Sequence, residues 1–154
     1  MIISDPNFKL IIAGDGEDKD KILIFIKKNN LEKNIFLLGY VQNIFPYILS
    51  SEAFILTSLW EDPGFVIVEA GYCRVPVISS NCLQGPKEII KDSLNGVLFN
   101  SNDMEDFLKC FKRFKHIIND NELKNKLTLN NLLMTKKFSI FSHYLELSKI
   151  LKII

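Results

Sequence analysis

Residues 58–79 read SLWEDPGFVIVEAGYCRVPVIS. The run just before them, AFILT at 53–57, is short and apolar, Pro63-Gly64 turns the chain, and Phe65 to Tyr72 has the composition of a helix. VPVIS at 75–79 is a second apolar run. A strand, a turn, a helix and another strand in this order make a βαβ unit, whose two strands lie parallel. The same alternation continues outward. FKLIIA (8–13) and IFLL (35–38) precede the segment and VLF (97–99) follows it, all without polar alternation, as expected of strands buried on both faces. Helical segments separate them. Residues 17–30 carry Ile22, Leu23, Phe25 and Ile26 among Asp and Lys and close on Asn29-Asn30; residues 86–91 open with a proline suited to a first turn. Residues 104–118 repeat Met104, Phe107, Leu108, Phe111 and Phe114 at spacings of three and four. The fold expected is α/β: a Rossmann-like, doubly wound parallel sheet of about five strands, finished by two helices at 121–135 and 140–151. The last helix places Phe141, Tyr144, Leu145, Ser148 and Leu151 on one stripe, which packs against the flank of the sheet or docks a second domain.

The chain has 154 residues, 47% hydrophobic and 24% charged, which fits one globular unit over 1–154 and excludes intrinsic disorder. Its 19 Lys and Arg stand against 18 Asp and Glu, a net charge of +1 that argues against a nucleic-acid binder. No apolar run reaches the ~18 residues of a membrane span, and the start shows no secretory signal. Cys73, Cys82 and Cys110 are scattered, without metal-ligand or disulfide spacing, so the expected compartment is the reducing cytoplasm.

In an open parallel sheet, ligands bind at the carboxyl ends of the strands. Gly14-Asp15-Gly16 follows the first strand and either lets a phosphate approach the backbone or is simply a tight turn. Gly39-Tyr40-Val41 follows the second, with backbone groups able to read a flat base edge. The richest strand end is the one at 58–79. Backbone amides of Gly64, Phe65 and Val66 point out of a helix N-terminus, where dipole and unpaired donors suit a phosphate. Glu61 stands in the loop before them; Glu69, after seven intervening residues, lies one turn into the helix within reach of ribose hydroxyls. The plainer reading of both is surface carboxylates near a helix start. Ser79-Ser80-Asn81, followed by Gly85-Pro86-Lys87-Glu88, offers hydroxyls and a second helix start. His116 and His143 lack partners at ligand spacing, and Cys73 reads as a buried, inert thiol.

In this order the pieces resemble the retaining glycosyltransferases of family four, which have the GT-B architecture. The paired-glutamate segment carries the resemblance, and LIIAGDG (10–16), IFLLGYV (35–41), GPKEII (85–90), NGVLFN (95–100) and FSIFSHYLEL (138–147) fall in the family's order over nearly the whole chain. The resemblance implies a nucleotide-sugar site, UDP- or GDP-linked, with no bound metal or other cofactor. Glu61 matches the glutamate that contacts hydroxyls of the transferred sugar, and Glu69 the one that hydrogen-bonds the ribose. Gly64, Phe65 and Val66 match the backbone donors facing the diphosphate and sugar, and the loop from Gly39 to Val41 the one framing the base.

Two departures stand out. Pro63 removes a backbone donor that many members present. The family's first strand, its Arg- and Lys-bearing loop and the whole N-terminal acceptor domain have no counterpart here, so the expectation is a donor-binding fragment that is inactive alone. Losing a central strand leaves FKLIIA and AFILT either paired directly or separated by a gap. The implied role is a cytoplasmic enzyme of polysaccharide, lipopolysaccharide or glycolipid synthesis, with any attachment to the inner face of the membrane made through the missing half. The rival readings are a non-catalytic Rossmann-like nucleotide-binding or interaction module and a nucleotide-sugar epimerase.

Overall fold

A computed structural model describes residues 7–152. They fall into two compact units that divide between Ile44 and Phe45. In the first, β1 (Leu10–Ala13), α1 (Lys19–Lys28) and β2 (Ile35–Gly39) follow in order, with β1 and β2 parallel, Leu10 opposite Ile35 and Ala13 opposite Gly39. Ile12 and Leu37 share one face with Ile22 of α1, while Ile11 and Phe36 point to the other face and stay exposed. The burial on both faces expected of these strands is therefore not found. A two-stranded sheet with one helix over it can shelter only one face.

The second unit begins with α2 (Phe45–Leu49), a five-residue helix that the periodicity does not reveal. Pro46 suits its first turn. Then come β3 (Phe54–Leu56), α3 (Phe65–Tyr72), β4 (Val77–Ser80), α4 (Pro86–Ile89), β5 (Val97–Phe99), α5 (Met104–Asn119), α6 (Asn121–Thr135), a 3-10 turn (Lys136–Phe138) and α7 (Ile140–Ile150). The strands form a parallel sheet in the order β3-β4-β5, with Ile55 opposite Ile78 and Ile78 opposite Val97. Of the five strands expected, two thus lie in one sheet and three in another, and no pairing joins β1 to β3 among the described residues. The direct pairing of FKLIIA with AFILT is therefore not found.

β4 is central, flanked by β3 and β5, and all four of its residues are buried. The core around it comprises Ile67 and Ala70 of α3, Val77 and Ile78, Ile89, Val97 and Phe114 of α5, each with essentially no exposed surface. Phe99, Phe107, Phe111 and Phe114 stack in a chain with successive centroid separations of 5.0, 5.7 and 6.5 Å, so the aromatic repeat of α5 is what joins it to β5. Helix α3 lies close against α6 at Gly71, where a Cβ would collide with Thr135 and press on Asn131.

Each of the three long helices has a side-chain cap. Asp103 accepts from the Asp106 amide at 2.9 Å, Asp120 from Glu122 and Leu123 at 2.9 and 3.0 Å, and Ser139 from Ser142 at 3.1 Å. Helix α7 departs from expectation. Leu145 is half-buried and Ser148 buried, but Phe141, Tyr144 and Leu151 of the same stripe are exposed, so the stripe is not packed on the flank of the sheet.

Candidate functional site

The carboxyl ends of the three-stranded sheet are tied to one another by short polar side chains. The Ser58 carbonyl, just past β3, accepts from the Ser80 hydroxyl at 2.6 Å and the Ser101 hydroxyl at 3.4 Å. Asn81 donates to Asn100 Oδ1 at 2.9 Å and accepts from the Ser101 amide at 3.0 Å. The loops leaving β3, β4 and β5 are thereby fixed relative to one another, by a network that no single sequence motif encodes. Its signal is a polar residue at the end of each apolar strand.

The loop from β3 to α3 lies on this base. Trp60 pairs through its backbone with Leu83, in parallel, so the loops after β3 and β4 run side by side. Gly64 then turns into α3 with φ 78° and ψ 43°, a left-handed conformation that glycine adopts without the cost a side chain would add. The space above it is taken by Glu61. A Cβ on Gly64 would lie 3.4 Å from Glu61 Cβ and Cγ and 3.6 Å from Oε2. The Glu61 side chain therefore folds over the start of the helix. Behind the turn, Gly85 has φ 85°, and a Cβ there would run into the backbone carbonyl of Pro63. Gly85 is a second residue that the strand-end reading undervalued, since it supports the back of the Glu61 loop.

Unlike α5, α6 and α7, α3 begins without a side-chain cap. Its first intrahelical acceptor is the Gly64 carbonyl, taken by Ile67 at 3.0 Å, and the amides of Gly64, Phe65 and Val66 find no acceptor among the described residues. Three unpaired donors at the positive end of a helix form an anion-binding element. Phe65 and Val66 are exposed beside it. Glu69 is half-buried one turn further along. Its charge is felt by Cys73: burial first, and then Glu69, push that thiol above its ordinary range. Cys73 is half-buried and not sealed in the core, a correction to its sequence reading, but its low acidity agrees with an inert thiol.

The remaining candidates lie in the first unit, where the structure brings Gly14 and Gly39 together. The Gly14 amide donates to the Gly39 carbonyl at 2.8 Å, joining the tips of β1 and β2. The turn after β1 borders a cleft lined by Ile12, Gly14, Asp15, Lys19, Ile22 and Leu37, in which Lys19 pairs with Asp15 at 3.3 Å. Val41 is half-buried just beyond β2, next to the exposed Tyr40. His116 and His143 are both exposed, and no group of metal-ligating side chains is present among the described residues. No helix among them is long and apolar enough to cross a membrane.

Parallel sheets under interleaved helices, with loops gathered at the carboxyl ends of the strands, define a Rossmann-like domain of the kind that forms the C-terminal half of GT-B glycosyltransferases. The chain belongs to the family described as Glycosyl transferases group 1, whose profile matches residues 2–132. It is 46% identical over 90 residues to an uncharacterized glycosyltransferase of Methanocaldococcus jannaschii, a match covering 58% of this chain and 22% of that one. It is 35% identical over 109 residues to the poly(ribitol-phosphate) alpha-N-acetylglucosaminyltransferase of Staphylococcus aureus, covering 69% of this chain and 22% of that one. Among solved structures, a variant of S. aureus TarM in complex with UDP, fondaparinux and alpha-GlcNAc-glycerol superposes with a TM-score of 0.81 at 27% identity, over 92% of this chain and 28% of that one. The chain thus spans about a quarter of the length of these proteins.

Proposed function

We propose that the chain is the C-terminal, donor-binding domain of a retaining glycosyltransferase of family four, which moves a sugar from a nucleoside diphosphate to a glycan or lipid acceptor. The observation that carries this reading is the uncapped start of α3 directly beneath the Glu61 side chain. In this role the Gly64, Phe65 and Val66 amides take the diphosphate charge, so that no metal is required, and the Glu61 carboxylate accepts hydrogen bonds from the sugar's hydroxyls. Glu69 holds the ribose. The family resemblance assigns the base to the loop from Gly39 to Val41, and the strand-end reading assigns a phosphate to the turn at Gly14. Transfer breaks the bond from the anomeric carbon to the phosphate oxygen and forms one to the acceptor oxygen on the same face, with the acceptor's proton passing to the departing phosphate. Glu61 positions and polarises the sugar and forms no covalent bond with it.

Support for a UDP-linked donor and an α-configured product comes from the names of the relatives, one an alpha-N-acetylglucosaminyltransferase and one solved with UDP. The acceptor-binding half, the Arg- and Lys-bearing loop of the diphosphate site and any membrane attachment belong, in this proposal, to the remainder of a longer enzyme, and the domain alone is inactive. Calorimetric titration with UDP, GDP and ADP tests the reading. One nucleotide should bind in preference, and Glu69→Ala should weaken it by about tenfold, the loss of a charge-assisted hydrogen bond. If no nucleotide binds, even with the family's upstream strand and loop restored, the reading is wrong.

A further inference from the structure

The exposed aromatic residue nearest in the chain to Glu61 has no structural task that accounts for its position. Trp60 is 76% exposed, and its backbone partner Leu83 is 78% exposed. Leu59, also exposed, precedes it. An indole held out in water beside a leucine forgoes burial that a residue of its size ordinarily obtains. It is not a loose end, because the pairing with Leu83 and the anchoring of Ser58 by Ser80 and Ser101 fix the backbone on which it stands. An apolar plate carried on a fixed backbone, one residue before a carboxylate in the chain, matches one ligand chemistry well. A pyranose ring presents C–H groups on its faces and hydroxyls at its rim, so a face can lie on the indole while the rim hydrogen-bonds to a carboxylate.

We propose that Trp60, flanked by Leu83, is the platform on which a pyranose ring stacks at this site, so that it selects for the sugar and not for the nucleotide. The inference rests on the donor-site reading above. It leaves two sources for the ring, the donor's own sugar and the acceptor glycan, and a titration separates them.

Trp60 is the single tryptophan of the sequence, so indole emission reports this position alone. The chain is titrated with UDP, UDP-glucose, UDP-N-acetylglucosamine, GDP and GDP-mannose, following emission and heat in parallel, and then with methyl α-glucopyranoside at saturating nucleotide. Emission that shifts with a nucleotide sugar but not with its parent nucleotide places the donor's ring on Trp60; a shift only on adding the glycoside places the acceptor's ring there. In either case Trp60→Ala should weaken the sugar-dependent part of binding by about tenfold while leaving nucleotide affinity unchanged, and Trp60→Phe should retain most of it. Heat of binding with unchanged emission in every arm, and an unaltered ratio of sugar to nucleotide affinity in Trp60→Ala, overturns the stack and leaves the donor site standing. Absence of heat with every nucleotide and nucleotide sugar, also after the family's upstream strand and loop are restored, overturns both.

Discussion

Cys73 and Glu69 lie one helical turn apart, and the thiol senses both the burial around it and the carboxylate beside it. Both influences oppose the thiolate, which is the species that alkylates. Iodoacetamide should therefore modify Cys73 slowly near neutral pH, while Cys82 and Cys110, both buried, are protected further. Glu69→Gln removes the negative charge, lowers the thiol's pKa and should speed modification about twofold, read by peptide mass at fixed times. An unchanged rate would mean that Glu69 points away from Cys73. A second residue-scale effect lies at Asp92, which accepts from Arg113 at 2.9 and 3.1 Å and from the Leu98 amide at 2.9 Å. Burial opposes its ionisation, but the Leu98 amide, the Arg113 guanidinium and the Ser93 hydroxyl outweigh it and hold the carboxyl below its ordinary range. A depressed folded-state pKa gives stability that is present above the unfolded value of about 3.9 and lost as pH falls through the folded value. Asp92→Asn should cost about 1 kcal/mol at pH 7, a figure kept small because the pair is solvent-screened. In urea unfolding the gap between variant and parent should narrow progressively as pH falls below about 4; a gap that stays constant as pH is lowered would assign the loss to packing.

At the scale of elements, the Glu61 loop is shaped from behind. Gly85→Ala would put a methyl group against the Pro63 carbonyl at a backbone angle that side chains rarely adopt, so the loop must move. The expected result is a loss of nucleotide-sugar affinity of about tenfold or more with a fall in stability of about 1–3 kcal/mol, checked by calorimetry and thermal unfolding. Retained affinity at reduced stability would show that the loop tolerates the shift. This support was only partly legible in the sequence. The Gly85-Pro86 pair reads as a helix start, but that its Cα abuts Pro63 depends on two loops lying side by side, which no local pattern encodes. The longer elements were readable because their periodicity is strong. Helices α5 and α6 fall within a residue of the expected bounds, and β5 matches its run. What misled was burial. Apolar runs at β1 and β2 look like two-face core strands, yet a two-stranded sheet shelters one face, and the run cannot say how many neighbours a strand will have. Helix α2 escaped because five residues are too few to show a period.

At the scale of the whole molecule, the apolar surface of α7 is the feature that sets behaviour in solution. Ile140 is 91% exposed and Ile150 76%, with Phe141, Tyr144, Leu147 and Leu151 also exposed on the same short helix. Soluble monomers seldom leave so much contiguous apolar surface in water, because burying it against any complementary surface is favourable. The chain studied alone should therefore associate with itself, and sedimentation equilibrium at micromolar concentrations should return a weight-average mass that climbs with concentration. The double substitution Phe141→Glu with Ile150→Lys places charges on that surface without touching Ser148, the helix's buried residue. It should return the mass to that of a single chain and leave Tm within about 2 °C, since exposed positions contribute little to the fold. Association that survives the double substitution would locate the contact elsewhere, and a large fall in Tm would mean that these side chains hold α7 to the rest of its unit.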